Sequence, residues 1–235
     1  MKRSITHPFR RGAIAVAFTL LSASALAAGM LPETSVVIIN EADGEGSINV
    51  KNTDEKPALL YVNITNIPED TESLVIVTPP VSRVEGTETQ LVRFILQGGQ
   101  PLTTQRLKRV TFEGIPEKSM DGAQKVAFTV TQDLPLVIHP KGLEMSRDPW
   151  TLLSWEVVAG KLVVKNKSPY VVRLAEAATT LPQERSITLP RPYILPGEEL
   201  TVADEFEGAT LSHIRIYPAT IYGYRVKHYD APLLK

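Results

Sequence analysis

From Val36 onward the chain alternates apolar and polar residues in short runs. Val36 and Ile38, Ile48 and Val50, and Leu60, Val62 and Ile64 each step by two. So do Val92, Phe94 and Leu96, and Val126, Phe128 and Val130. Clusters such as Asp43-Gly44, Asn52-Thr53-Asp54 and Gly98-Gly99 interrupt them. A period of two with frequent turn signals predicts half-buried strands in an all-β sandwich. No convincing amphipathic helix is legible beyond the N-terminal leader, and the 18 prolines suit loops and strand edges.

The alternation lapses between Pro140 and Pro149, a stretch rich in polar and turn-forming residues. It resumes at Leu153, Trp155 and Val157, then at Leu162 and Val164, and at Tyr170, Val172 and Leu174. Later pieces are Ile187-Thr188-Leu189 and Ile214-Arg215-Ile216. This spacing predicts two β-sandwich domains, residues 28–140 and 141–235, joined by a short linker. A single larger sandwich is the other arrangement that this length allows.

The N-terminus adds a compartment. Lys2, Arg3, Arg10 and Arg11 precede an apolar run from Ala13 to Leu21 and a small-residue exit at Ala25-Leu26-Ala27. That order describes a secretory signal peptide over residues 1–27, and hence export. Its core is too short for a bilayer span, and no later segment is long and apolar enough, so no stable membrane insertion is expected. Cleavage removes those basic residues and no acid from a chain whose net charge is −1. The mature protein is therefore acidic with no basic stripe, which argues against nucleic acid as a partner.

Candidate chemistry is sparse. The chain has no cysteine, so thiol nucleophiles and Cys-based zinc sites are excluded. Of the histidines, His139, His213 and His228 lie beyond the leader, without metal-pair spacing, and there is no nucleophile elbow or phosphate loop. Carboxylate groups such as Glu41, Asp43 and Glu45 sit beside turn residues, where solvated charge is the ordinary outcome. No catalytic residue, metal or cofactor is expected.

Several segments, in order, carry a resemblance. Val77-Thr78-Pro79-Pro80-Val81-Ser82-Arg83-Val84 with Gln90-Leu91-Val92-Arg93-Phe94 resembles the T-P-P-x-x-R-L…V-R signature of the periplasmic chaperones of chaperone–usher pili. Phe112-Glu113-Gly114-Ile115-Pro116 is similar to their strand end before the subunit-binding strand. Asn166-Lys167-Ser168-Pro169-Tyr170-Val171-Val172 resembles their N-P-T-P-Y-Y-V strand, and Leu195-Pro196-Gly197-Glu198 follows in the expected place.

The resemblance implies two immunoglobulin-like sandwiches at an angle, with a cleft between them. It also implies a periplasmic chaperone that lends an edge strand to pilus subunits and delivers them to an outer-membrane usher. The matching strand is Lys125 to Pro135, whose face Val126, Phe128, Val130 and Leu134 steps by two apart from Gln132, and Glu117 to Gln124 resembles the loop before it. Pattern alone favours a core face there, and the position relative to Ile115-Pro116 and the domain boundary is what points to donation. Family members grip the subunit's terminal carboxylate with an Arg and a Lys, but the aligned positions here are Ser35 and Pro135. Arg93, with Arg83 behind it, is the replacement the sequence offers. The ionic contacts at the family's domain junction also lack a match, because His139 and Ile221 fall at those positions. A pilus subunit or adhesin of the same fold class, and a sugar-binding or enzymatic sandwich using Trp150 and Trp155, are the other readings.

Overall fold

Alternating burial along each strand is what separates core from surface. The computed structural model describes residues 29–117, 129–203, 206 and 211–234. The leader therefore lies outside the described residues, as do Val126 and Phe128. In the first half the strands are β1 (Met30–Pro32), β2 (Val37–Asn40), β3 (Glu45–Asn52), β4 (Ala58–Asn66), β5 (Val75–Thr78), β6 (Val81–Val84), β7 (Thr89–Leu96), β8 (Arg106–Pro116) and β9 (Thr131–His139). They hydrogen-bond in the order β5-β7-β3-β2-β9-β8-β4-β6, with β1 also on β3. The sheet folds over one core, where Ile48, Val50, Leu60, Val62, Val92 and Phe94 are buried. Those are positions that the period of two assigns to the inside. Phe94 and Phe112 meet edge to face at 6.4 Å between centroids, a favoured aromatic geometry.

The second half contains β10 (Leu153–Val158), β11 (Lys161–Asn166), β12 (Val172–Leu174), β13 (Ala177–Leu181), β14 (Arg185–Thr188), β15 (Tyr193–Ile194), β16 (Glu199–Ala203), β17 (His213–Ile216), β18 (Pro218–Ala219) and β19 (Tyr229–Leu234). One sheet runs β14-β13-β17-β19-β10-β11-β16 and the other β15-β12-β18. Between them lies a second core built on Trp155. Trp150 and Trp155 are both buried, so neither offers the exposed ring that a sugar platform needs.

The sandwiches share a turn device. Asn52, fully buried at the end of β3, donates to the carbonyls of Lys56 and Val84. Asn166, fully buried at the end of β11, donates to those of Tyr170 and Ile194. Each amide satisfies backbone acceptors that a buried corner would otherwise leave unpaired. Among the described residues no pairing joins the strands of the first half to those of the second. A small cluster of Val36, Ile67, Leu107, Val137 and Val171 packs between the two halves instead. The result is two all-β, immunoglobulin-like sandwiches set against one another with a cleft alongside the junction.

Candidate functional site

The site begins with an unfinished strand. β9 pairs antiparallel with β8 along nearly its whole length, from Thr131 opposite Glu113 to Ile138 opposite Arg106. On its other side β2 runs parallel to it, but only from Leu136 to His139. Residues Thr131 to Pro135 therefore pair with one neighbour and leave one edge open among the described residues. An unpaired edge offers N–H and C=O groups to any incoming strand. Proline suits such a boundary because it has no N–H to place in a ladder.

The side chains of β9 divide along its length. Leu136 and Ile138 are fully buried in the first core, and Leu134 packs against that core from a half-buried position. Two residues further out on the same face, Gln132 is half-buried and Val130 is exposed. The apolar face thus runs outward from the sandwich interior and emerges at Val130. In the sequence the same alternation includes Phe128 and Val126, which lie outside the described residues. Leu134 packs against the chain's own core while remaining half-buried, whereas Val130 is exposed.

The open edge leads to a cleft. A cavity of about 680 Å³ there is lined by Leu107, Arg109 and Pro135 from the first sandwich and by Arg173, Arg225 and Lys227 from the second, among others. Among the described residues no Asp or Glu lines it. Arg109, on β8, donates through Nε to the Asp133 carboxylate and through Nη2 to the Asp133 carbonyl, each at 3.0 Å. Arg173, on β12, donates through Nη2 to the carbonyls of Thr220 and Ile221 at 2.7 and 3.0 Å. Burial, and then the charge of Arg109 nearby, push Arg173 down to about 10. Among the described residues no carboxylate pairs with it.

The junction itself is polar and ionic as well as apolar. The Gln105 N–H donates to the Pro169 carbonyl at 2.8 Å, and the Val171 N–H donates to the Gln105 side-chain oxygen at 2.9 Å. His139 is buried. Its Nε2 faces the Leu143 carbonyl at 2.8 Å and so carries the proton, which leaves Nδ1 to accept from the Gln105 amide at 2.9 Å. The charged contact lies elsewhere. Arg191 bridges Glu69 of the first sandwich and Glu198 of the second. The Tyr193 hydroxyl also donates to Glu69, at 2.9 Å. Burial pushes the Glu69 carboxyl up, but the Tyr193 hydrogen bond, its own backbone hydrogen bond and Arg191 together bring it below its ordinary 4.5. Sequence spacing could not pair Glu69 with Arg191, since only the docking of the two sandwiches brings them together.

The two arginines singled out from the sequence lie away from this cleft. Arg93 is exposed on β7 and pairs with Glu45. Arg83 is exposed on β6 and pairs with Glu85 at 2.9 Å and Glu117 at 3.3 Å. Neither borders the cavity. Ser35 approaches Gly223 of the second sandwich, and Pro135 lines the cavity, so these two positions do reach the cleft without bringing a charge. Arg109 and Arg173 supply the cations there. Among the described residues no group of His, Asp and Glu is arranged to hold a metal ion, and no helix is long and apolar enough to cross a membrane.

Residues 29–144 match the family described as pili and flagellar-assembly chaperone, PapD N-terminal domain. The fimbrial chaperone YhcA of Escherichia coli strain K12 is 44% identical over 92% of this chain and 96% of its own length. This chain belongs to the periplasmic pilus-assembly chaperones. The chaperone protein caf1M of Yersinia pestis is 29% identical over 59% of this chain and 62% of its own length. The chaperone fold extends to solved structures at lower identity. The Escherichia coli chaperone DraB superposes with a TM-score of 0.70 at 20% identity, covering 88% of this chain and 99% of its own. A chain in the complex of the Salmonella enterica SafA pilin with its SafB chaperone superposes with a TM-score of 0.71, covering 87% and 96%.

Proposed function

We propose that this chaperone is exported to the periplasm of a Gram-negative bacterium and there captures pilus subunits by lending them β9. A subunit that lacks a strand has an open core and an unpaired edge, both of which drive aggregation. The observation that carries this reading is the open edge of β9 from Thr131 to Pro135. Backbone groups on that edge pair with the subunit, while Val130, Phe128 and Val126 enter its groove. Burying each large apolar side chain contributes about 1.5–3 kcal/mol before ordering and desolvation costs. The captured subunit then passes to an outer-membrane usher. The protein acts stoichiometrically, without cofactor or catalysis, and residues 1–27 direct export and are removed, leaving sandwich domains over 28–140 and 141–235.

Co-purification tests the reading. Replacing Phe128 and Val130 together by Asp abolishes recovery of a co-expressed fimbrial subunit while the purified chaperone keeps its melting temperature. Wild-type recovery by the double variant would rule out donation by this strand. N-terminal sequencing of the exported protein checks removal of the leader.

A further inference from the structure

One histidine at the junction of the sandwiches is held by groups that admit a single tautomer. His139 closes β9 and is buried. Its Nε2 meets the Leu143 carbonyl at 2.8 Å, and its Nδ1 meets the Gln105 side-chain nitrogen at 2.9 Å. Gln105 is buried as well, and its side-chain oxygen accepts from the Val171 N–H of the second sandwich at 2.9 Å. Both ends of this chain of bonds are backbone groups, and they fix its direction. A carbonyl can only accept and an amide N–H can only donate. Val171 therefore holds the Gln105 oxygen towards itself and turns the NH2 to the ring, where Nδ1 must accept.

Protonation reverses that last role. A charged imidazole donates from both nitrogens, so its Nδ1–H would face the Gln105 NH2. Turning the amide over only moves the conflict, because the NH2 then faces the Val171 N–H. No orientation of Gln105 satisfies both neighbours, and a buried donor without an acceptor is destabilising. The charged groups on the surrounding elements are engaged elsewhere. Arg106, next to Gln105 on β8, pairs with Asp70 and Glu72. Glu41, just after β2, accepts from the Leu102 and Lys141 amides. Lys141 and Glu144 of the linker are exposed, and the Tyr170 hydroxyl donates to the Glu144 carbonyl. Arg173 donates to the carbonyls of Thr220 and Ile221. Among the described residues no carboxylate bonds to the ring, whose partners are Gln105 and Leu143.

We propose that Leu143, His139, Gln105 and Val171 form a pH-sensitive latch, in which proton uptake by His139 unfastens the second sandwich from the first. The docked arrangement needs the ring neutral, whereas the undocked one lets it take a proton in water, so docking weakens as pH falls. The Gln105 backbone N–H, which donates to the Pro169 carbonyl at 2.8 Å, opens with the latch. Because the cleft runs alongside this junction, its width follows pH. The latch rests on the junction alone and is independent of strand donation.

Hydrogen exchange of the full mature chaperone, followed by NMR and corrected for the intrinsic rate at each pH, tests the latch. The Gln105 and Val171 amides report on it, since their bonds cross the junction. Between about pH 7.5 and about pH 5.5, a span in which histidine ordinarily changes charge, their protection falls about tenfold or more, the range of one buried donor left unpaired. Amides of the β3–β7 and β10–β11 ladders keep their protection, which shows that each sandwich stays folded. Glu69 keeps its charge over this span because its carboxyl is held below 4.5, so its contact with Arg191 does not contribute. His139→Gln abolishes the pH dependence, whatever level of protection it sets, which excludes the exposed His213 and His228 as the source. Gln105→Glu also removes the fall, since a carboxylate accepts from both the Val171 N–H and the charged ring. Unchanged protection in the wild type, or a fall of wild-type size in either variant, would overturn the latch. Loss of protection throughout both sandwiches at the lower pH would overturn it too, because the opening would then be unfolding rather than undocking.

Discussion

Gly223 of the second sandwich lies so close to Ser35 of the first that a β-carbon on the glycine would overlap the serine hydroxyl. Gly223 also has φ +85, a conformation that L side chains adopt only under strain. This contact pins the loop whose carbonyls, on Thr220 and Ile221, hold Arg173. A large residue in place of Ser35 would force that loop away. Gly223→Ala is predicted to cost about 1–3 kcal/mol, from backbone strain together with the clash. Thermal unfolding measures it. Adding Ser35→Gly recovers only part of the loss, since it relieves the clash and leaves the strain.

Val130, immediately before β9, and Leu134, within it, are predicted to respond differently to Asp. Val130 is exposed, so Val130→Asp shifts stability by no more than about 0.5 kcal/mol and impairs subunit capture. Leu134 packs against the core, so Leu134→Asp buries a charge beside apolar groups and lowers the midpoint of denaturant unfolding. Equal effects of both substitutions on stability would contradict the division drawn along β9.

Lys108 is almost completely buried and meets Asp70, whose carboxylate and carbonyl oxygens both accept from its ammonium group. Asp70→Ala leaves that cation uncompensated and is predicted to cost about 3–5 kcal/mol, read from urea unfolding of the first sandwich. Burial pushes the Asp70 carboxyl up, but hydrogen bonds from Arg106 and Lys108 and their charges bring it below its ordinary 3.8. A carboxyl group lowered by folding stabilises fully above its unfolded value and loses that stabilisation as pH falls towards the folded one. The first sandwich is therefore predicted to lose stability below about pH 3.8, and Asp70→Ala flattens that part of the profile.

Glu69 joins Arg191 and Tyr193 across the junction. Glu69→Gln removes the charge that faces Arg191. It is predicted to widen the distribution of interdomain distances in small-angle scattering and to separate unfolding into two transitions. Glu69 is also lowered by its setting, so wild type is predicted to loosen in the same way as pH falls below about 4.5, the side on which the carboxylate is lost.

Arg93 gives a contrasting expectation. It pairs with Glu45 on an exposed face away from the cavity. Arg93→Ala is predicted to leave subunit affinity within about twofold of wild type, as befits a surface ion pair of small net worth. Isothermal titration against a purified subunit peptide measures it.

Much of the fold follows from local pattern. Alternation at Ile48 and Val50, at Leu60 and Val62, and at Trp155 and Val157 assigns strands and inner faces because a pleated strand turns successive side chains to opposite sides. Pattern was weaker where burial breaks the period. Leu136, Val137 and Ile138 are consecutive buried residues, since one side of β9 faces the core and the other the interdomain cluster. The Thr-rich β13 carries too little apolar contrast to announce itself.

The sequence by itself determined an all-β, two-sandwich, cysteine-free chain and its family resemblance. Each of these rests on residues near one another along the chain or on ordered motifs. Only the tertiary structure decided that Leu134 packs half-buried against the core, that Glu69 and Arg191 make an ionic contact across the junction, and that Arg109 and Arg173 line one cleft. Those relationships join residues far apart in sequence, and the angle at which two separately cored sandwiches dock fixes them. No local periodicity encodes that angle, because it is set by the packing of Val36, Leu107, Val137 and Val171 between the domains.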